Sequence, residues 1–180
     1  VGDQHLYYIY RKGSIVSVGG KYKEATALEA IDKPLDPKAA VKLNGSLGAY
    51  KYGVFVADEA DEVGRTFAAL RLTREFKTQN VGLTVTHVDR PFLDREATVV
   101  GVDQNWRPTP KLNISNRLIV SDIDQAGVTT TDSGFTTIVE YEMEHGWRQQ
   151  WIGMHFGDSL QINDFGYLSR ANLNYGHWQV

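Results

Sequence analysis

From Ala39 onward, apolar and polar side chains alternate with a period of two, the repeat of a strand whose two faces meet different surroundings. In "AVKLNGSLGAYKYGVFVA", Val41 and Leu43 interleave with Lys42 and Asn44. After a glycine-containing turn, Tyr50, Tyr52, Val54 and Val56 share one face of the returning strand. The pattern continues with Val81, Leu83 and Val85, then with Leu112, Ile114, Leu118 and Val120, where Asn116 is the one blemish. Finally, Phe135, Thr137, Val139, Tyr141 and Met143 oppose Glu140 and Glu142. A slip of one residue would turn every apolar row to the wrong side, so the pattern fixes register. Further strands are predicted near residues 65–74, 97–106, 147–156 and 172–180.

The fold class this predicts is all-β: an antiparallel up-and-down meander of about nine or ten strands, forming a β-barrel or part of one. Residues 39–180 make up this segment, and residues 1–38 an extended or irregular N-terminal one. Within it, Val1–Gly20 reads as extended, with the aromatic cluster Tyr7, Tyr8 and Tyr10. "KYKEATALEAIDKPLDPKAA" reads as helical or irregular, closed by Pro34 and Pro37.

Connections sharpen the reading. Short turns are expected at residues 44–49, 75–80, 107–110 and 144–146, and longer polar loops at 58–64, 89–96, 122–133 and 157–171. Strict alternation of the two would place tight turns at one end of a barrel and long loops at the other, the asymmetry of outer-membrane barrels. Strands of roughly nine to eleven residues would cross a bilayer when tilted. Tyr50, Trp106, Trp147, Trp151 and Trp178 would suit interfacial girdles. The opposite rows hold Lys42, Lys51, Arg71, Asp103, Arg117, Glu140 and Glu142, which could line a lumen or lock it with ion pairs. A soluble sheet would bury the same apolar rows, so alternation leaves inside and outside undecided.

Composition narrows the field. The 180 residues carry a formal charge of -3, with basic residues scattered, which argues against a nucleic-acid partner. There is no cysteine, so disulfides, thiolate metal sites and cysteine nucleophiles are excluded. No apolar run of about 18 residues occurs, which excludes a transmembrane helix but not membrane-spanning strands.

Motifs for catalysis are weak. Asp164-Phe165-Gly166 matches the magnesium-binding triplet of protein kinases, yet the glycine-rich loop, strand lysine and catalytic loop that chemistry needs are missing. Gly166 is better read as a loop residue before a strand. "DIDQAG", from Asp122, opens like a calcium loop, but Ala126 and Ser133 stand where oxygen ligands are required. His5, His87, His145, His155 and His177 show no ligand spacing. Glu140 and Glu142 share a strand face, which a solvated row explains as well as acid–base chemistry. No catalytic, cofactor-binding or metal residue is assigned, and no cofactor is expected.

The hairpin "AAVKLNGSLGAYKYGVFVA" resembles the "gAAKLTGrxGxxxxGvLxA" hairpin of a family of bacterial outer-membrane barrel proteins of unknown function. "AALRLTREFKTQNVGLTVTHVDR" and "TVVGVDQNWRPTPKLNISNRLIVS" are similar to its next two hairpins. "GDSLQINDFGYLSRANLNY" resembles the loop that follows, with Gly166, Leu168 and Arg170 at the matching positions and Ala171-Asn172 departing from them. "YIYRKGS" is a weaker echo of the family's arginine-rich segment. The likeness covers most of residues 39–175.

It implies a bacterial outer-membrane location, outer-membrane lipid as partner, and a carbohydrate-binding-like domain of family 9 elsewhere in the same protein. The ending "YGHWQV" lacks the terminal aromatic of a completed barrel, so an internal fragment is expected. The expected function is that of a channel, receptor or surface scaffold without catalysis. The alternative is a soluble β-barrel module that binds a small apolar or sugar ligand.

Overall fold

The computed structural model describes residues 15–18, 21–24, 37–59 and 64–180. Strands β1 (Ile15–Val18) and β2 (Lys21–Glu24) pair antiparallel as a small sheet of their own. The main sheet holds β3 (Pro37–Leu47), β4 (Tyr50–Glu59), β5 (Thr66–Glu75), β6 (Gln79–Arg90), β7 (Arg95–Thr109), β8 (Leu112–Gln125), β9 (Val128–Glu142), β10 (Arg148–Phe156) and β11 (Leu173–Gln179). Its nine strands lie in chain order, each antiparallel to the next. The all-β meander is therefore as predicted.

The predicted barrel is not. β3 and β11 are the two edges of the sheet, and among the described residues no strand pairs them with each other. A barrel exists only when the last strand hydrogen-bonds to the first. An open sheet also leaves edge N–H and C=O groups unpaired, which a hydrocarbon interior does not tolerate. The expected channel, receptor or scaffold role, the outer-membrane location and the lipid partner that the resemblance implied all require a closed barrel, and the open sheet overturns them.

The N-terminal segment differs too. Lys21–Glu24, expected to be helical or irregular, is a strand, and Pro37 begins β3 rather than ending the segment before it. Proline is admissible there because β3 is an edge strand. The aromatic cluster Tyr7, Tyr8 and Tyr10, and Pro34, lie outside the described residues.

The expected alternation of short and long connections also gives way. Residues 122–133 form no loop: β8 and β9 run on to a two-residue turn at Ala126–Gly127. Both turn residues have positive φ, 56° and 78°, as a tight type I′ hairpin requires. Polar side chains extend the ladder there, since Thr131 donates to Asp122 and Thr129 to Asp124. Residues 91–93 close the β6–β7 connection with one 3-10 turn. Several strands are longer than expected: β7 and β9 span 15 residues each.

Register follows the alternation. Leu43 opposes Val54, Val54 opposes Leu70, Leu70 opposes Val85, and Val85 opposes Val100, which opposes Val120. This apolar face, expected to be buried, is the more exposed one: Leu43 is 58% accessible, and in the adjacent row Leu118 is 51% and Phe135 47%, while Val54, Val85 and Val120 are half-buried. The buried positions lie on the opposite, mixed face, where Ala57, Phe67 and Val88 form a core cluster with Phe55 against it. Ala97 and Ile123 continue it across β7 and β8.

Candidate functional site

Among the described residues, one connection stays long. Residues 157–172 carry no regular element, and they fold back over the mixed face as a strap. At its base the Asn172 N–H donates to the Gly157 carbonyl (2.8 Å), and the Gly157 N–H donates to Ser133 (3.0 Å). From there the strap meets the strands one after another. The Ser159 N–H donates to Asp132 of β9 (2.7 Å), and the Gln161 N–H to the Ser121 hydroxyl of β8 (3.2 Å). Asp164 pairs with Arg95 of β7 and Arg90 of β6, and the Phe165 ring reaches Phe67 of β5 (5.8 Å) and Phe55 of β4 (6.2 Å).

The pins are of different kinds. Leu160 is 2% exposed and sits over Gly134, where an added Cβ would come within 2.9 Å of its Cδ2. Glycine at 134 is thus the clearance that lets the strap lie close. Both Asp132 oxygens accept backbone N–H bonds, from Ser133 and Ser159, and these hold its carboxyl below the ordinary carboxylate value. The Asp164 carboxylate receives the Arg95 fork at 3.0 and 2.7 Å, and Arg95 also binds Gln125 and Gln161.

Beneath the strap lies a cavity of about 330 Å³ between the sheet and Ile162, Phe165 and Gly166. Its floor is Val99, Gly101 and Ile119, so the walls are mostly apolar. At one side Arg71 forks onto Asp103 (2.5 and 2.8 Å) and donates to Thr84 (2.7 Å). That hydrogen-bonded contact raises the Arg71 pKa and lowers that of Asp103. Gly82 makes it possible, because a Cβ there would collide with the Arg71 guanidinium and the Asp103 carboxylate. Arg117 reaches the same cavity from β8.

A second recess, of about 450 Å³, lies at the tight-turn end near Arg107, Asn113, Glu140 and Arg148. It is polar and open, and Glu140 there already accepts from Asn113 and Gln150. The Asn113 Oδ1 is buried and has no hydrogen-bond partner among the described residues.

The motifs weighed in the sequence are used for structure. Asp164 is an arginine-bound pin, Phe165 a docking ring, and the Gly166 N–H donates to the Ile162 carbonyl (2.8 Å) in the strap's turn. Asp122 and Asp124 are taken up by the hairpin threonines and the Gly127 N–H. His87 meets Thr98, His155 meets Asn174 and His177 meets Gln179, while His145 holds a turn at φ 61°. His5 lies outside the described residues. Among the described residues no three histidine or carboxylate groups gather as a metal site.

Sequence reasoning named Arg71, Asp103 and Arg117 as one mixed-charge row. It missed the cavity, because the roof comes from a segment with no periodicity. The clue on offer was the string of apolar residues Leu160, Ile162 and Phe165 at uneven spacing inside a polar loop.

Comparison with protein-family models, with curated proteins and with solved structures returns no match to this chain. The resemblance to outer-membrane barrel proteins is therefore corrected on two grounds, the open sheet and the absence of a matching family, and the companion carbohydrate-binding-like domain loses its support with it.

Proposed function

We propose that this chain is a non-catalytic binding module that holds a small, largely apolar ligand between its sheet and the strap. The observation that carries the reading is the roofed cavity: about 330 Å³, walled by Val99, Ile119, Ile162 and Phe165. Ligand sites are typically concave, mostly apolar and roughly 300–1,000 Å³, with a few polar groups that set orientation. Here Arg71, Asp103 and Arg117 are those groups. The strap is pinned at Ser159 and at Asp164 by contacts that do not use the cavity walls, so the space beneath it can be filled without unlocking them. An apolar ligand is favoured over a sugar because the walls offer few hydrogen-bonding atoms.

The test is a two-dimensional NMR titration of the intact chain with a neutral amphiphile such as 1-octanol. Shifts are expected at the amides of Thr84, Gly101, Ile119, Ile162 and Gly166. Shifts confined to the exposed apolar face around Leu43, Leu72 and Phe135, or none at all, would overturn the reading.

A further inference from the structure

Resting on that reading, we propose that the ligand is an amphiphilic carboxylate whose acid group pairs with Arg117 while its hydrocarbon body lies under the strap against Ile119, Ile162 and Phe165. Three charges border the cavity, and two of them cancel. Arg71 and Asp103 form a two-pronged pair, with both Asp103 oxygens engaged. Arg117 differs: it is exposed, and among the described residues its charge acts on the facing Asp103 without a close hydrogen bond or salt bridge. One positive charge is left over at the mouth of an apolar cavity.

Its position adds a second argument. Arg117 opposes Asp103 on β7 and Thr136 on β9. It lines the apolar cavity on one side and, on the other, a recess of about 260 Å³ that holds Asn105, Ser115 and Thr136. The guanidinium thus stands between the apolar cavity and a recess lined mainly by polar residue types, Ile138 apart. A molecule with a hydrocarbon body and an acid head has its own boundary at the same place. A guanidinium takes a carboxylate through two parallel N–H···O bonds, shorter and stronger than neutral ones. A cationic ligand would need a free carboxylate, and Asp103 has none to give.

Calorimetric titrations of the intact chain with octanoate, 1-octanol and octylamine, each repeated on Arg117→Gln and Arg117→Lys, test the inference. Octanoate is expected to bind roughly tenfold to a hundredfold tighter than octanol, the yield of one charge-assisted contact. Octylamine should bind no better than octanol. Arg117→Gln should erase the octanoate preference, so that octanoate and octanol bind that variant equally, while Arg117→Lys keeps part of it.

Equal binding of octanoate and octanol, or a preference that survives Arg117→Gln, would overturn the carboxylate assignment and leave the binding module standing. No binding of any of the three at the cavity amides would overturn the binding module itself. Should Arg117→Gln fail to fold, the octanoate-to-octanol ratio of the unaltered chain and its fall with added salt decide the question.

Discussion

The Asp164 carboxylate lies 2.7 Å from the Arg95 guanidinium, joining the middle of the strap to the first residue of β7 across 69 positions of sequence. The Asp164 side chain is only 6% exposed, and Arg90 is a second cation beside it. Neutralising one partner of a largely buried ion pair leaves the other charges uncompensated, at a cost of about 3 kcal/mol. Asp164→Asn should therefore lower stability by that order in urea unfolding. Amide exchange at residues 159–166 should rise before that of the strands.

Leu160 offers a packing test of the same segment without touching charge. It is almost fully enclosed above Gly134. Leu160→Ala should cost about 2–4 kcal/mol through the lost contacts and the cavity left behind. A loss below about 1 kcal/mol in chemical denaturation would mean that the strap contributes little to the fold.

Much of the sheet was legible because a strand's period of two is written in neighbouring residues. The pairing of Leu43 with Val54 and of Leu118 with Phe135 follows directly from it. Which face is covered was not legible, since alternation separates two faces without saying what lies over either. The strap decided it by covering Phe67 rather than Leu70 and Leu72. Its own course depends on contacts such as Phe165 with Phe55, 110 residues apart, for which no local pattern exists. The Ala126–Gly127 hairpin was read as a loop because threonine and aspartate are polar. Threonine is also a good strand residue, and Thr129 and Thr131 pair with Asp124 and Asp122 across the ladder.

Adjacent residues on β8 test the assignment of faces. Leu118 is half exposed on the apolar face, whereas Ile119 floors the cavity. Leu118→Lys should change stability by no more than about 0.5 kcal/mol, as surface substitutions do. Ile119→Lys places a charge beside Arg71 and Arg117 in an apolar wall and should cost more than about 2 kcal/mol. Thermal unfolding of the two variants side by side gives the answer, and a reversed order would assign the faces the other way.

Gly82 provides a test of the cavity's charged edge. A methyl group there would displace both the Arg71 guanidinium and the Asp103 carboxylate. Gly82→Ala should break the fork, costing about 1–3 kcal/mol as overpacking does, and should free Asp103 to titrate nearer its ordinary value. A carboxyl-carbon NMR titration reads this directly, and an unchanged Asp103 midpoint would show that the pair tolerates the added atom.

Acid should release the strap at its β9 end. The Asp132 carboxylate accepts the Ser133 and Ser159 N–H groups, the bonds that chiefly hold its pKa below the ordinary carboxylate value, with the nearby His155 adding in the same direction. A carboxyl whose pKa is lower folded than unfolded contributes stability that is fully present above the unfolded value. That contribution is lost as pH falls through the folded one. Asp103, lowered by Arg71, follows the same sign. Strap closure should thus be constant above about pH 5 and weaken below about pH 4. The Ser159 amide, followed by NMR from pH 6 to acid, should lose its hydrogen-bonded shift with the midpoint of the Asp132 carboxyl. In Asp132→Asn that step should vanish while acid unfolding of the sheet persists. A Ser159 shift that moves with pH in Asp132→Asn as it does in the unaltered chain would assign the acid response to another group.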